Sequence, residues 1–251
     1  ETETAFLVGE VIDELERLEG DGRPWFVHAS ICRPHPPFVV PEPYNDMVDP
    51  ASVSEPIVDE VGAEHPFLAT ARSWRHARPP VDPGDLRQLR ATYYGMMAEV
   101  DAQVGRLLGA LEDLGAADDT IVVVTSDHGE AFWQHEDITS HGRSLFEEEA
   151  RVPLVMKLPA GRGPRGVLVE ELSSNIDVLP TLGELLELSM PDRELDGVSL
   201  LQLLKGGEST STRADLLIRA REDVGLFGIR SAGEKAVVRL DPDPVLLYTS
   251  P

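Results

Sequence analysis

Residues 120–126 contain four successive β-branched apolar side chains, and the run ends at Asp127, His128 and Gly129. A short apolar run of this kind predicts a strand buried on both faces, as at the centre of a parallel sheet. Such strands occur almost only in α/β proteins, so this run restricts the fold class more than any other part of the chain. Ligands of α/β sheets bind beyond the carboxyl ends of the strands, where Asp127 and His128 fall.

The pair Asp127 and His128 offers a hard carboxylate oxygen and a borderline imidazole nitrogen. Together they suit Ca²⁺, Mg²⁺, Mn²⁺ or Zn²⁺. Gly129 would let the backbone turn sharply beneath such an ion. On spacing alone, a strand-end turn in which Asp127 is a cap and His128 is solvated explains the pattern equally well.

The remaining periodicity predicts helices and strands in alternation. Apolar residues at helical spacing predict helices over residues 5–18, 85–114 and 176–188. Further strands are expected at residues 25–31 and 153–158. Residues 33–43 hold five prolines and must form an extended loop, because proline has no amide donor and restricts its predecessor.

Two further regions define the domain organisation. Residues 48–84 are rich in Pro, Asp and Ala, and we expect a long surface excursion there. Four short runs near the end of the chain predict a small antiparallel lobe: residues 215–220, 226–231, 235–240 and 245–248. We therefore expect an α/β core over residues 1–205 and a small β lobe over residues 206–251.

Composition excludes several classes of partner. The formal charge of −23 repels nucleic acid and anionic membranes. No apolar run approaches the ~20 residues that a membrane-spanning helix needs. Cys32 is the only cysteine, so no disulfide can form within the chain, and the cellular compartment stays open. The start Glu1–Thr4 resembles neither a signal peptide nor an initiator methionine, so we expect the chain to begin inside a longer protein.

Three segments resemble, in the same order, active-site segments of the sulfatase family of the alkaline-phosphatase superfamily: residues 26–37, 127–130 and 141–153. Within the family, four segments are most similar to the phosphonate monoester hydrolase and phosphodiesterase branch: residues 33–37, 41–44, 91–95 and 99–101. Residues 174–181 and 196–200 are similar to a later segment of the family. The resemblance implies an α/β fold with an alkaline-phosphatase-like central sheet, mixed but mostly parallel and flanked by helices. Beside it we expect the small C-terminal lobe, with the N-terminal strands of the sheet missing.

The resemblance also implies a role for four residues. Asp127 and His128 correspond to the second half of a divalent-metal site for Ca²⁺, Mg²⁺ or Mn²⁺. His35 falls where the family places a histidine near the leaving oxygen of the ester. His141 falls where the family has a Lys or His that contacts the sulfate or phosphate oxygens. The substrate would be a small-molecule sulfate or phosphate ester.

Other candidate residues are assigned no catalytic role. His135 is expected to be a solvated loop residue. His28 is expected to be a core residue whose ring nitrogens have hydrogen-bond partners. His65 and His76 lie in the variable excursion. Cys32 stands in a Cys-x-Pro-x-Pro run, which has proline where the family's nucleophile motif has arginine. We therefore expect Cys32 to be a semi-buried structural thiol.

The family's nucleophile, a Cys or Ser often oxidised to formylglycine, belongs to a segment upstream of residue 1, as do two acidic metal ligands. We therefore expect the chain alone to bind metal weakly and to be inactive, and its truncated sheet to favour a homo-oligomer. Two alternatives remain open. One is a phosphoethanolamine or glycerol-phosphate transferase of the same superfamily, and the other is a non-catalytic binding domain that keeps the fold.

Overall fold

The computed structural model describes residues 2–55, 80, 82–137, 139–142, 144–190, 194–207, 213–220, 225–239 and 245–250. These residues form two compact units. The first contains the described residues up to 120, and the second contains those from 121 onward.

Two helices, α1 (Glu3–Asp21) and α2 (Pro83–Asp113), make up most of the first unit. The Thr2 side chain caps α1 by accepting a hydrogen bond from the Ala5 amide at 3.1 Å. Asp82 caps α2 in the same way at Gly84, and Pro83 occupies the first helical position, where it needs no donor. Both helices expected from the periodicity are confirmed.

The segment predicted as a buried strand at residues 25–31 forms no strand. Its side chains alternate between half-buried and exposed, but no described strand pairs with it. Phe26 is 82% exposed, and His28 is exposed rather than packed in a core. The prediction of a buried strand was therefore wrong, because a strand requires a hydrogen-bonded neighbour as well as β-forming residues.

The second unit contains eight strands among the described residues, all in antiparallel pairs. They are β1 (Val122–Thr125), β2 (Ala131–Phe132), β3 (Thr139–Ser140), β4 (Leu154–Lys157), β5 (Asp215–Arg219), β6 (Leu226–Ser231), β7 (Lys235–Arg239) and β8 (Val245–Ser250). Strands β5 to β8 form one four-stranded meander, which confirms the four strands predicted near the end of the chain. The domain boundary near residue 205 stays a prediction.

Strand β1 is less buried than its sequence predicts. Among the described strands it pairs only with β4, and the pairing is antiparallel, with Val124 opposite Val155. Val124 is 37% and Val155 is 60% exposed. The expectation that β1 is fully buried was therefore wrong, because among the described strands it has one neighbour instead of two. Self-association through the truncated sheet stays a prediction.

Short helices connect the strands of the second unit. They are α3 (Gln134–Asp137), α4 (Glu147–Ala150), α5 (Val178–Leu185) and α6 (Leu201–Leu204). The helix predicted over residues 176–188 is present as α5 with a preceding 3₁₀ turn, Asn175–Asp177. No helix among the described residues is both long enough and apolar enough to cross a membrane.

Asp177 joins three segments of the second unit through one carboxylate. It accepts hydrogen bonds from the amides of Ser174 at 2.8 Å and Val198 at 2.9 Å, and it forms an ion pair with Arg213. The side chain is completely buried. Loss of this carboxylate would leave the amides of Ser174 and Val198 and the Arg213 guanidinium without their acceptor.

We therefore expect Asp177→Ala to lower the free energy of unfolding by about 3–5 kcal/mol, the usual cost of breaking a buried ion pair from one side. Asp215→Ala removes an exposed carboxylate on β5 and serves as the control. It should change the free energy of unfolding by less than about 0.5 kcal/mol. Urea unfolding of both variants measures the difference. Equal effects of the two substitutions would contradict the proposed anchoring role.

Candidate functional site

The end of β1 is fixed by an amide from the 3₁₀ turn before α5. Asn175 Nδ2 donates to the carbonyl oxygen of Ser126 at 2.7 Å, and the Thr125 hydroxyl donates to Asn175 Oδ1 at 2.9 Å. The Ser126 hydroxyl in turn donates to the His128 carbonyl oxygen at 2.7 Å. These bonds hold the backbone on which Asp127 and His128 stand. The role of Asn175 was not foreseen, because only the folded chain shows that it reaches β1.

Gly129 is required by a close approach of two backbone segments. Its amide donates to the Glu149 carbonyl oxygen at 2.8 Å, and a Cβ atom at this position would collide with the Glu148 carbonyl oxygen. Gly129 does not adopt a left-handed conformation. The glycine therefore admits the neighbouring turn, which is a different reason from the sharp bend that the sequence suggested.

The ribbon formed by β2 and β3 brings Glu130 and His141 together. Ala131 pairs with Ser140, so the residues that flank this pair meet at the open end of the ribbon. His141 Nδ1 lies 2.8 Å from Glu130 Oε2, and the Glu130 side chain is only 6% exposed. A carboxylate held against one ring nitrogen fixes the orientation of the imidazole and directs the other nitrogen away.

His128 and His141 stack on one another, with ring centroids 4.0 Å apart and ring planes at 18°. His128 Nδ1 lies 2.9 Å from the Gly129 carbonyl oxygen, which leaves Nε2 as the nitrogen that can bind a metal. Three of the four predicted site residues, Asp127, His128 and His141, are thus adjacent. The two histidines are 13 residues apart in sequence, and the β2–β3 ribbon closes that distance.

The Asp127 and His128 side chains fit a divalent cation as neighbouring ligands. Two atoms that bind one ion at about 2.0–2.4 Å lie roughly 3–4 Å apart when they occupy adjacent coordination positions. Asp127 Oδ2 and His128 Nε2 are 3.6 Å apart. Among the described residues no group of three or more His, Cys, Asp and Glu side chains has the geometry of a metal site. The pair therefore fits as part of a ligand set.

Backbone strain is concentrated between Glu130 and Gly142. Trp133, His135 and Ser140 all have positive φ angles, of 56°, 48° and 74°, although none of them is glycine. Such conformations cost about 1–3 kcal/mol each and persist only where the surrounding structure enforces them. Ser140 is the residue directly before His141, so the strain lies within the segment that places this imidazole.

His135 is not the solvated residue that the sequence suggested. Its ring stacks on Phe146 at 3.7 Å, and its Nε2 lies 3.2 Å from both carboxylate oxygens of Glu148. The pKa of Glu148 is shifted by two opposing effects. Burial is the largest single influence and raises the pKa, but the hydrogen bond from His135, a backbone hydrogen bond and the charges of His135 and Lys235 together lower it below its ordinary value.

Glu148 belongs to an acidic turn, which we define as Glu147, Glu148 and Glu149 of α4. Each of the three side chains bonds a different segment. Glu147 pairs with Lys235 of β7 at 2.8 Å, and the Lys235 side chain is almost completely buried. Glu149 accepts a hydrogen bond from the Ser144 hydroxyl. The acidic turn therefore links β7, α3 and the segment after His141 to the backbone beside Gly129.

His35 lies in the first unit, on the proline-rich loop, and its side chain is exposed. Its Nδ1 is 2.8 Å from the Pro36 carbonyl oxygen, and its amide donates to the Cys32 carbonyl oxygen at 3.1 Å. Cys32 is exposed, so the expectation of a semi-buried thiol was wrong. The convergence of His35 with the site at β1 stays a prediction. His65 and His76 lie outside the described residues.

Comparison with known proteins assigns the family. The sulfatase family model matches residues 2–188. The multifunctional alkaline phosphatase superfamily protein PehA of Trinickia caryophylli is 36% identical over 217 residues, which cover 80% of this chain and 42% of that protein. An arylsulfatase of Clostridium perfringens is 30% identical over 209 residues, which cover 82% of this chain and 43% of that protein.

The solved structure of a phosphonate monoester hydrolase from Silicibacter pomeroyi superposes on this chain with a TM-score of 0.85 at 28% identity, covering 98% of this chain and 53% of the other. The chain belongs to the sulfatase family, and the alkaline-phosphatase-like fold expected from the resemblance is confirmed. The chain spans about half the length of these relatives.

Gly129→Ala tests how tightly the acidic turn holds the site. The added methyl group must displace the Glu148 carbonyl, so we expect a loss of about 2–4 kcal/mol in the free energy of unfolding. Gly233→Ala, where a Cβ meets no atom within 4 Å, serves as the control. Urea unfolding of both variants measures the two free energies of unfolding. If Gly129→Ala lowers its value by less than about 0.5 kcal/mol, the close approach of Gly129 to the Glu148 carbonyl is contradicted.

The ion pair of Glu148 predicts a pH dependence of stability. A carboxyl whose pKa is lowered by folding stabilises the protein above its unfolded pKa, and this contribution disappears as the pH falls through the folded pKa. At pH 6 the free energy of unfolding of the wild type should therefore exceed that of Glu148→Gln by about 1 kcal/mol. The two free energies of unfolding should converge as the pH falls through the folded pKa of Glu148, which lies below its ordinary value. A constant difference between pH 6 and pH 3 in urea unfolding would contradict this assignment.

Proposed function

We propose that the complete protein hydrolyses sulfate esters, or the related phosphonate and phosphate esters, in a metal-dependent reaction. The observation that carries this proposal is the stacked His128–His141 pair beside the Asp127 carboxylate at the carboxyl end of β1. Membership of the sulfatase family supports the reaction class, as do relatives whose names include arylsulfatase and phosphonate monoester hydrolase.

Asp127 and His128 would hold a divalent cation, Ca²⁺, Mg²⁺ or Mn²⁺, together with ligands from the N-terminal part of the complete protein. A cation bound there supplies positive charge against the anionic ester and lowers the pKa of an attacking group. The Gly129 carbonyl holds Nδ1 of His128, which leaves Nε2 as the nitrogen that would bind the ion, and Asn175 fixes the strand end. These contacts would orient the His128 ring before a metal binds.

His141 would bind the oxygens of the transferred sulfuryl or phosphoryl group through its Nε2. Glu130 holds Nδ1 and so keeps the ring parallel to His128, with Nε2 directed away from the carboxylate. A donor that is oriented in advance stabilises developing charge without reorganising during the reaction. Glu130 is therefore a positioning residue for His141.

His35 would protonate the leaving oxygen. Because Nδ1 bonds to the Pro36 carbonyl oxygen, proton exchange with a substrate falls to Nε2. As the S–O or P–O bond breaks, its electron pair passes to the leaving oxygen, which takes the proton from Nε2. The nucleophile, expected to be formylglycine formed from Cys or Ser, would belong to the N-terminal part of the complete protein.

The proposal is tested by assaying the complete protein on paired substrates, 4-nitrophenyl sulfate and the phosphonate monoester 4-nitrophenyl phenylphosphonate. We expect turnover of at least one, abolished by exhaustive chelation and restored by a divalent metal. Asp127→Asn should lower kcat/KM by about 100-fold or more, because it removes charge from the metal site. Asp215→Asn, at the exposed carboxylate of β5, is the matched control and should leave kcat/KM unchanged.

The chain of 251 residues alone should turn over neither substrate. Turnover by this chain alone would contradict the proposal that the nucleophile lies in another part of the protein. Full activity of the complete protein after chelation would contradict the metal-dependent mechanism.

A further inference from the structure

The loop that carries His35 is closed by the side chain of Arg33. We define the His35 loop as residues 33–39. The Arg33 guanidinium lies two residues before His35, and its Nη1 donates to the carbonyl oxygens of Pro37 at 3.0 Å and Val39 at 2.8 Å. One cation therefore spans the loop from one side of His35 to the other.

The composition of the His35 loop explains why a side chain performs this task. Positions 34, 36 and 37 are prolines, which have no amide hydrogen to donate. The loop consequently cannot form a regular backbone ladder, and its carbonyl oxygens need donors from elsewhere. A guanidinium carries five N–H donors in a rigid planar arrangement and can bond two carbonyls at once.

Helix α2 holds both Arg33 and the loop in place. Arg33 Nη1 lies 3.8 Å from Sδ of Met96, whose side chain is completely buried. One turn earlier on the helix, Tyr93 meets Phe38 of the loop edge-to-face at 6.0 Å. Gly95, between them, lets the Tyr44 carbonyl oxygen approach the helix where a Cβ would collide. The loop is therefore fixed to one turn of α2.

We propose that Arg33 is the positioning residue of His35. This inference rests on the proposed function, in which His35 protonates the leaving oxygen. The His35 ring bonds through Nδ1 to the Pro36 carbonyl oxygen, so the direction of the ring depends on the backbone of the loop. That backbone is set by the two hydrogen bonds from Arg33, which carry the charge of the guanidinium.

The consequence for catalysis is specific. Proton donation matters most when the leaving oxygen is basic and least when it departs readily as a stable anion. Loss of a correctly placed His35 should therefore slow the hydrolysis of phenyl esters far more than the hydrolysis of 4-nitrophenyl esters. A general loss of folding or of metal binding would slow both esters to the same degree.

The experiment compares variants of the complete protein on a phenyl ester and a 4-nitrophenyl ester of the same acid. The variants are Arg33→Met, Arg33→Lys, His35→Ala and the double variant Arg33→Met/His35→Ala. Arg90→Met is the matched control, because Arg90 is another half-buried arginine of the first unit that bonds a backbone carbonyl, that of Ser54. Thermal unfolding of each variant checks that it is folded.

We expect Arg33→Met to lower kcat/KM for the phenyl ester by roughly 10- to 100-fold and for the 4-nitrophenyl ester by less than about threefold. Arg33→Lys, which keeps donors for both carbonyls, should lose less. The double variant should be no slower than His35→Ala, because residues that act through one group are not additive. Arg90→Met should match wild type on both esters.

Two results separate the possible failures. Suppose first that His35→Ala slows hydrolysis of the phenyl ester far more than that of the 4-nitrophenyl ester. If Arg33→Met then slows hydrolysis of both esters equally, or if its loss of kcat/KM adds fully to that of His35→Ala, the positioning role of Arg33 is wrong and the proposed function stands. If His35→Ala itself slows hydrolysis of both esters equally, His35 is not the proton donor and the positioning role of Arg33 fails with it, while metal-dependent turnover by the complete protein still supports ester hydrolysis.

Discussion

The close approach of Gly129 to the acidic turn is the contact on which the described site depends. The amide of Gly129 bonds to the Glu149 carbonyl oxygen, and only a hydrogen atom at its Cα leaves room for the Glu148 carbonyl. The contact joins the end of β1, where Asp127 and His128 stand, to α4. Interiors pack densely enough that a displacement of this kind reaches the neighbouring side chains.

The acidic turn extends this contact to the rest of the second unit. Its three carboxylates bond Lys235, His135 and the Ser144 hydroxyl, so one helical turn gathers segments from both sides of the site. The register of the β2–β3 ribbon sets Glu130 against His141, whose ring stacks on that of His128. Each imidazole of the stacked pair is therefore held at Nδ1 by an oxygen atom, that of the Gly129 carbonyl for His128 and that of the Glu130 carboxylate for His141.

Much of this was predictable from the sequence, for identifiable reasons. Helical periodicity gave α1 and α2, and alternation with turn residues gave the four strands of the small sheet. The Asp127–His128 pair was predictable because it directly follows an apolar run. His141 was assigned through resemblance, since nothing local in the sequence shows that a ribbon brings it to His128.

The failures share a cause. The segment at residues 25–31 and strand β1 have the composition of strands, but pairing and burial depend on neighbours that local sequence does not specify. Glu130, His135 and Asn175 were missed or misjudged because their roles arise from contacts across 11, 13 and 49 residues. The sequence showed Arg33 only as part of the motif at residues 33–37. Its role in the loop follows from its hydrogen bonds to two carbonyl oxygens, which only the structure shows.

The most direct test of the account is anomalous diffraction from crystals of the complete protein soaked with Mn²⁺. The account predicts one strong peak about 2.0–2.4 Å from both a carboxylate oxygen of Asp127 and Nε2 of His128. A Mn²⁺ peak bound elsewhere, with Asp127 and His128 in contact only with solvent, would contradict the claim that the end of β1 is a metal site.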